Sequence, residues 1–166
     1  MGVDPGLVTT GYGVVEVTGR KLTLIKGGAI AVVAAGEPLE RRLQGLHEGL
    51  AQAIKAYQPE AIALEQLYSH YKHPRTAILM GHARGIICLA AAQAGLAVFH
   101  YGATQVKGGI TGSGHASKEQ VQRAVQMMLE LSEPPSPSDV ADALALALYH
   151  CLHAEHRLAL GPGRNV

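Results

Sequence analysis

The chain has 166 residues, 48% of them hydrophobic and 16% charged, with a net charge of +1. That size and apolar content fit one domain with a real core and exclude a disordered chain. The near-neutral balance excludes capture of nucleic acid by bulk charge and leaves room only for a local basic face, to which nine histidines add at mildly acid pH.

In chain order, a strand stub at 2–3, a strand over 11–17 and another over 22–33 with a glycine pair at Gly27 and Gly28 read as a meander. Over 39–57, Leu43, Leu46, Leu50 and Ile54 recur at three and four, which predicts a helix that Pro59 stops. "PEAIALEQ" reads as a short buried strand ending at Glu65. A polar, basic-aromatic stretch follows over 68–75, then a long helix over 76–94 and a strand over 96–102. Residues 108–114, with four glycines, predict a flexible loop. Ser117 with Gln120 three residues on has the form of a capping box and opens the next helix. "PPSP" at 134–137 is a linker, a last helix covers 138–156, and "GPGRNV" is expected to fray.

The order β-β-β-α-β-α-β-α-α implies an α/β fold: a mixed sheet with helices on both faces, one domain over 1–157 and a flexible tail over 158–166. Cys88 and Cys151 sit in apolar helical patterns and read as reduced core residues, which points to a reducing compartment. No signal peptide is expected. The most weakly charged run, 78–98, is broken by His82, Arg84 and Gln93, against a membrane span. The chain reads as soluble and cytoplasmic.

The chemistry concentrates in its acids. The chain has three aspartates, Asp4, Asp139 and Asp142. Asp4 follows an apolar start and precedes Pro5 and Gly6, although aspartate is a poor strand former and costly to bury without partners. If the strands carrying Asp4 and Glu65 are parallel neighbours, both carboxylates emerge at the carboxyl edge of the sheet, where open α/β sheets place ligands. Asp139 and Asp142, three apart on a helix, share one side. A convergence of four would repel itself unless it held divalent cations, and hard oxygen donors favour Mg²⁺ or Mn²⁺ over zinc. Singly, each has a plainer reading. Asp139 near N3, with Ser136 as cap and Pro137 at N1, is ordinary compensation of a helix dipole. Asp4-Pro5-Gly6 is a turn, and Glu65 a polar strand end.

"GVDPGLVTTGYGVVE", "IALEQLY", "GHARGIICLAA", "QVKGGITGSGHASKEQVQ" and "DVADALALALYHC" together resemble the RuvC family of Holliday junction resolvases, collinearly over 2–153. The resemblance implies a ribonuclease H-like fold and a homodimer that binds a four-way DNA junction and makes two symmetric nicks, leaving 5′-phosphate and 3′-hydroxyl ends. It implies a metal site of Asp4, Glu65, Asp139 and Asp142 holding two ions, Mg²⁺ or Mn²⁺. Lys107 and Lys118 fall at lysine motif positions that serve the site; without the resemblance they read as solvated charges. Tyr68 falls where the family has an aromatic that stacks on an unpaired base. Tyr71, Lys72, His73 and Arg75 interleave aromatics and cations as a DNA-binding segment does. Gly81 and Gly85, four apart, permit close helix approach; the resemblance implies the dimer contact there, while the sequence by itself favours packing against the sheet. A junction-binding protein and a branch-migration motor are the implied partners.

Two alternatives share the fold: a nuclease acting on RNA, and a non-catalytic junction-binding relative. "DPGLVTTGYG" also resembles the first phosphate-binding hairpin of actin-like ATPases and sugar kinases. That reading needs a duplicated domain, for which 166 residues leave no room, and no GK[ST] follows the glycines of "GGITGSGHASK".

Overall fold

The computed structural model describes residues 1–31, 36–67 and 74–158. Its strands are β1 (Gly2–Asp4), β2 (Thr9–Thr18), β3 (Lys21–Ala31), β4 (Ala61–Glu65) and β5 (Ala97–Tyr101). They form one sheet in the order β3-β2-β1-β4-β5. β1 runs antiparallel to β2 and parallel to β4, and β4 runs parallel to β5, so the mixed sheet expected from the sequence is present with β1 at its centre.

Alternation along the strands divides the core in two. Val3, Ile62 and Leu64 point to one face, where Leu46 and Leu50 of α1 (Leu39–Tyr57) and Ile87 of α2 (Pro74–Gln93) cover them. Ala63 and Tyr101 point to the other, beneath α3 (Ala103–Thr111), α4 (Lys118–Met128) and α5 (Ser138–Leu158). α1 ends where the sequence requires. Gln58 turns left-handed at φ 45°, its N–H bonds the Ile54 carbonyl at 2.8 Å, and Pro59 forbids another turn. α4 opens on the expected capping box: Gln120 N–H donates to Ser117 Oγ at 3.3 Å, and Ser117 N–H donates to Gln120 Oε1 at 2.8 Å.

Three expectations are corrected. The stretch 108–114 is not simply a flexible loop, because α3 runs through Gly108 and Gly109 and ends on Gly112 at φ 80°. Val106 and Ile110 bury one side of α3, and a Cβ at Gly109 would strike the Tyr149 ring. These glycines serve close packing, and the element order gains a helix. α5 starts at Ser138, whose predecessor Pro137 offers its carbonyl to Val140 and Ala141, so Asp139 sits earlier in the first turn than N3. Gly81 and Gly85 do not pack on the sheet: both are exposed, and a Cβ at either would meet nothing within 4 Å. α2 is long and apolar enough to cross a membrane by length and composition alone. Yet Ala83, Ile87, Ala90 and Ala91 bury its inner side in the α1–sheet core.

α5 crosses β1 and β2. A Cβ at Gly2 would overlap the Ala143 carbonyl oxygen, and one at Gly11 the Asp139 carbonyl; one at Gly13 would lie 2.7 Å from Leu144 Cγ. The strands are bare where the helix backbone comes down. Gly11→Ala is expected to cost more than about 2 kcal/mol of stability in urea denaturation. Gly81→Ala, in open space on a helix, is expected to add about 0.5–1 kcal/mol.

Candidate active site

Asp4 ends β1 and lies across from Gly11 of β2. On its other side the register pairs Gly2 with Ala63 and Val3 with Leu64, so Asp4 comes level with Glu65 at the end of β4. Both side chains share the sheet face of Gly2, Ala63 and Tyr101, which is the face α5 covers. Because Gly11 touches the backbone at Asp139, the first turns of α5 bring Asp139 and Asp142 over the same strand ends.

All four carboxylates are half-buried. Burial pushes Asp4 up from its ordinary 3.8 to about 8, helped by the charges of Asp142, Glu65 and Asp139 and opposed by Lys118. Glu65 is raised by burial and by Asp142, against the pull of Arg84, Lys107 and Lys118. Asp142 is raised by burial despite Lys118, whose Nζ stands 3.6 Å from its Oδ2. Lys118 opens α4 as the residue after the Ser117 cap, inside the capping box; Lys107 sits on α3. Both lysines thus act on the acidic cluster from its α3–α4 side.

The donor set fits hard divalent cations. It consists of oxygens alone, its members repel one another, and two lysines do not neutralise four acids. The carboxylates are not closed on a common point: among the described residues, no three His, Cys, Asp or Glu side chains are gathered as a ready metal group. Mutual repulsion and the Lys118–Asp142 pair favour that spread arrangement.

Of the DNA-contact residues expected from the sequence, Tyr68, Tyr71, Lys72 and His73 lie outside the described residues, and Arg75 is exposed in the first turn of α2. One neighbour of the site was not anticipated. Arg84 of α2 donates from Nη2 to His100 Nδ1 at 3.0 Å, and its charge steadies the Glu65 carboxylate. The signal was a lone arginine in the apolar run "GHARGIICLAA". Cys88 and Cys151 are free thiols, both partly buried.

Asp4 holds its proton more tightly in the folded chain, at about 8, than at its ordinary 3.8, so protons favour the folded state across that interval. With chelator present, the melting temperature is expected to fall as the pH rises from about 5 to about 8. Added Mg²⁺ should reverse most of that fall, and Asp4→Asn should flatten it; differential scanning fluorimetry across pH reads all three.

Residues 1–150 match the family model of the crossover junction endodeoxyribonuclease RuvC. The RuvC of Rhodopirellula baltica is 51% identical over 148 residues, covering 89% of this chain and 83% of that protein. The RuvC of Pelotomaculum thermopropionicum is 48% identical over 92% of each chain. Thermus thermophilus RuvC, solved in complex with Holliday junction substrate, superposes with a TM-score of 0.87 at 38% identity over 94% of each chain. With its ribonuclease H-like sheet and this degree of likeness, the chain belongs to the RuvC family of crossover junction endodeoxyribonucleases.

Proposed function

We propose that this junction endonuclease cuts with Asp4, Glu65, Asp139 and Asp142 as ligands of two divalent ions, Mg²⁺ or Mn²⁺, and with Lys107 and Lys118 as its catalytic cations. The observation that carries this reading is the meeting of acids from β1, β4 and α5 at one sheet edge, where burial, helped by the neighbouring acids, lifts Asp4 to about 8. Bound ions would supply neutralisation of the scissile phosphate and a water of lowered pKa.

The rest of the chemistry belongs to the chain. Strand ends and a buried helix hold the backbone beneath the carboxylates, so their closing on the ions is left to the side chains. Lys118, nearly two-thirds exposed at 63%, is free to turn from Asp142 toward a phosphate oxygen once the acids are neutralised. Lys107, half-buried on α3, holds a second positive charge beside Glu65 and Asp142. Tyr68 is assigned to stacking on an unpaired base, worth about 1–3 kcal/mol. Tyr71, Lys72, His73 and Arg75 are assigned to the junction backbone.

The chain acts as a homodimer, so that two sites meet the two strands to be cut. Its α2 supports this with an unfilled stripe: Ile78 is 61% and Leu89 47% exposed, with Gly81 and Gly85 open between them. Residues 1–157 form the nuclease domain; 159–166, where a tail is expected from the sequence, lie outside the described residues. The enzyme works in the cytoplasm beside a junction-binding protein and a branch-migration motor.

On a synthetic four-way junction with Mg²⁺, paired symmetric nicks are expected, with linear duplex and RNA/DNA hybrid left uncut. Asp142→Asn should abolish cutting and spare junction binding. Lys118→Ala should lower kcat about a hundred-fold. Binding without cuts in any metal would favour a non-catalytic relative, and cutting of the hybrid an RNA substrate. Gly81→Glu should split the dimer in analytical ultracentrifugation and turn paired nicks into single ones.

A further inference from the structure

Among the described residues, Thr10 is the one polar or charged residue that is buried, with 0% of its surface exposed. Its hydroxyl makes two bonds to a single residue: Thr10 Oγ1 donates to the Gly6 carbonyl at 2.7 Å and accepts from the Gly6 N–H at 3.1 Å. The strand pairing explains why. β1 pairs with β2 through Asp4 opposite Gly11, and the ladder stops there because Pro5 has no N–H to give. Thr10 is the next residue along β2, where a partner for Pro5 would stand. Its side chain gives Gly6 the donor and acceptor that a continued strand would have given.

The turn is held elsewhere too. A Cβ at Gly6 would overlap the Thr9 carbonyl oxygen, so the chain is pressed against β2 at that point. Arg42 of α1 donates from Nε to the Leu7 carbonyl at 2.8 Å. The backbone leaving Asp4 is thus fixed within three residues, on the β2 side by Thr10 and on the α1 side by Arg42.

We propose that Thr10 is a positioning residue for the metal-dependent reaction: its hydroxyl fixes the Pro5–Gly6 turn, and through it the backbone from which the Asp4 carboxylate projects. The proposal rests on the reading of Asp4 as a metal ligand. Asp4 stands among three like charges, which drive it toward water. A backbone free to rotate at Pro5–Gly6 lets the carboxylate swing away, and each ion then has to restore it at the cost of affinity. Thr10 itself, wholly buried, meets neither ion nor DNA.

Thr10→Val keeps the shape and branching and loses both bonds; Thr10→Ser keeps the hydroxyl; Thr10→Cys has only a weak donor. Three readouts separate positioning from mere stability: calorimetric Mn²⁺ affinity without DNA, the Mg²⁺ midpoint for junction cleavage, and junction affinity in chelator. Thr10→Val is expected to weaken Mn²⁺ binding and raise the Mg²⁺ midpoint about ten-fold, with junction affinity unchanged and Thr10→Ser restoring the wild-type values. A folded Thr10→Val with a lower melting temperature but wild-type metal affinity and midpoint would overturn the proposal. If Thr10→Val does not fold, Thr10→Cys against Thr10→Ser decides, and equal midpoints overturn it. Asp4→Asn runs in parallel. If that variant binds metal and cuts as wild type, the ligand assignment fails, and the proposal with it, whatever Thr10→Val does.

Discussion

Helix α5 reaches the sheet across glycines. Gly2, Gly11 and Gly13 leave the β1–β2 hairpin without side chains where the Asp139 and Ala143 backbone and Leu144 come down, and that approach sets where the acids of α5 can stand. A side chain at Gly11 would lift the helix start away from Asp4 and open the cluster. The alanines of the helix complete the fit: Ala141, Ala143, Ala145 and Ala147 are all buried, so the last long element packs by backbone proximity more than by side-chain bulk. The same contact that closes the second core therefore brings the acids of α5 to Asp4 and Glu65.

The cluster is a local opponent of folding that the rest of the molecule outweighs. Burial of the edge, with like charges beside it, raises Asp4, Glu65 and Asp142 at once, and the nearby cations only partly oppose this. Tyr101 and Val125 on one face and Leu46, Leu50, Ile62 and Leu64 on the other are essentially closed to solvent. The hydrophobic effect of two cores thus carries a site that would not assemble by itself. Functional clusters of this kind bind cations well because the protein has already met the cost of crowding the ligands.

Much of this arrangement is legible in the residues. Helix 39–57 could be read to its ends, because its leucines repeat regularly and Pro59 leaves no other stop. The parallel β1–β4 pair and the four acids follow from placement: an aspartate after an apolar stub, a glutamate at a buried strand end, two aspartates three apart. Glycine was the source of error. Read as flexibility at 108–114, it instead lets α3 press against Tyr149; read as packing at Gly81 and Gly85, it instead leaves α2 bare. A glycine states that a side chain is missing, and only the tertiary neighbour says why. Arg84 beside Glu65 and Thr10 beneath Gly6 escaped for the same reason, since each acts across elements far apart in sequence.

The four carboxylates proposed to hold the ions come from positions 4, 65, 139 and 142, and the last two stand on α5. During synthesis the first ligand leaves the ribosome long before the last exists. Until α5 has emerged and docked, Asp4 and Glu65 lack two of their partners and the second core lacks its lid. On that assignment, cutting requires α5 to be docked. A chain without a docked α5 keeps two of the four carboxylates, Asp4 and Glu65.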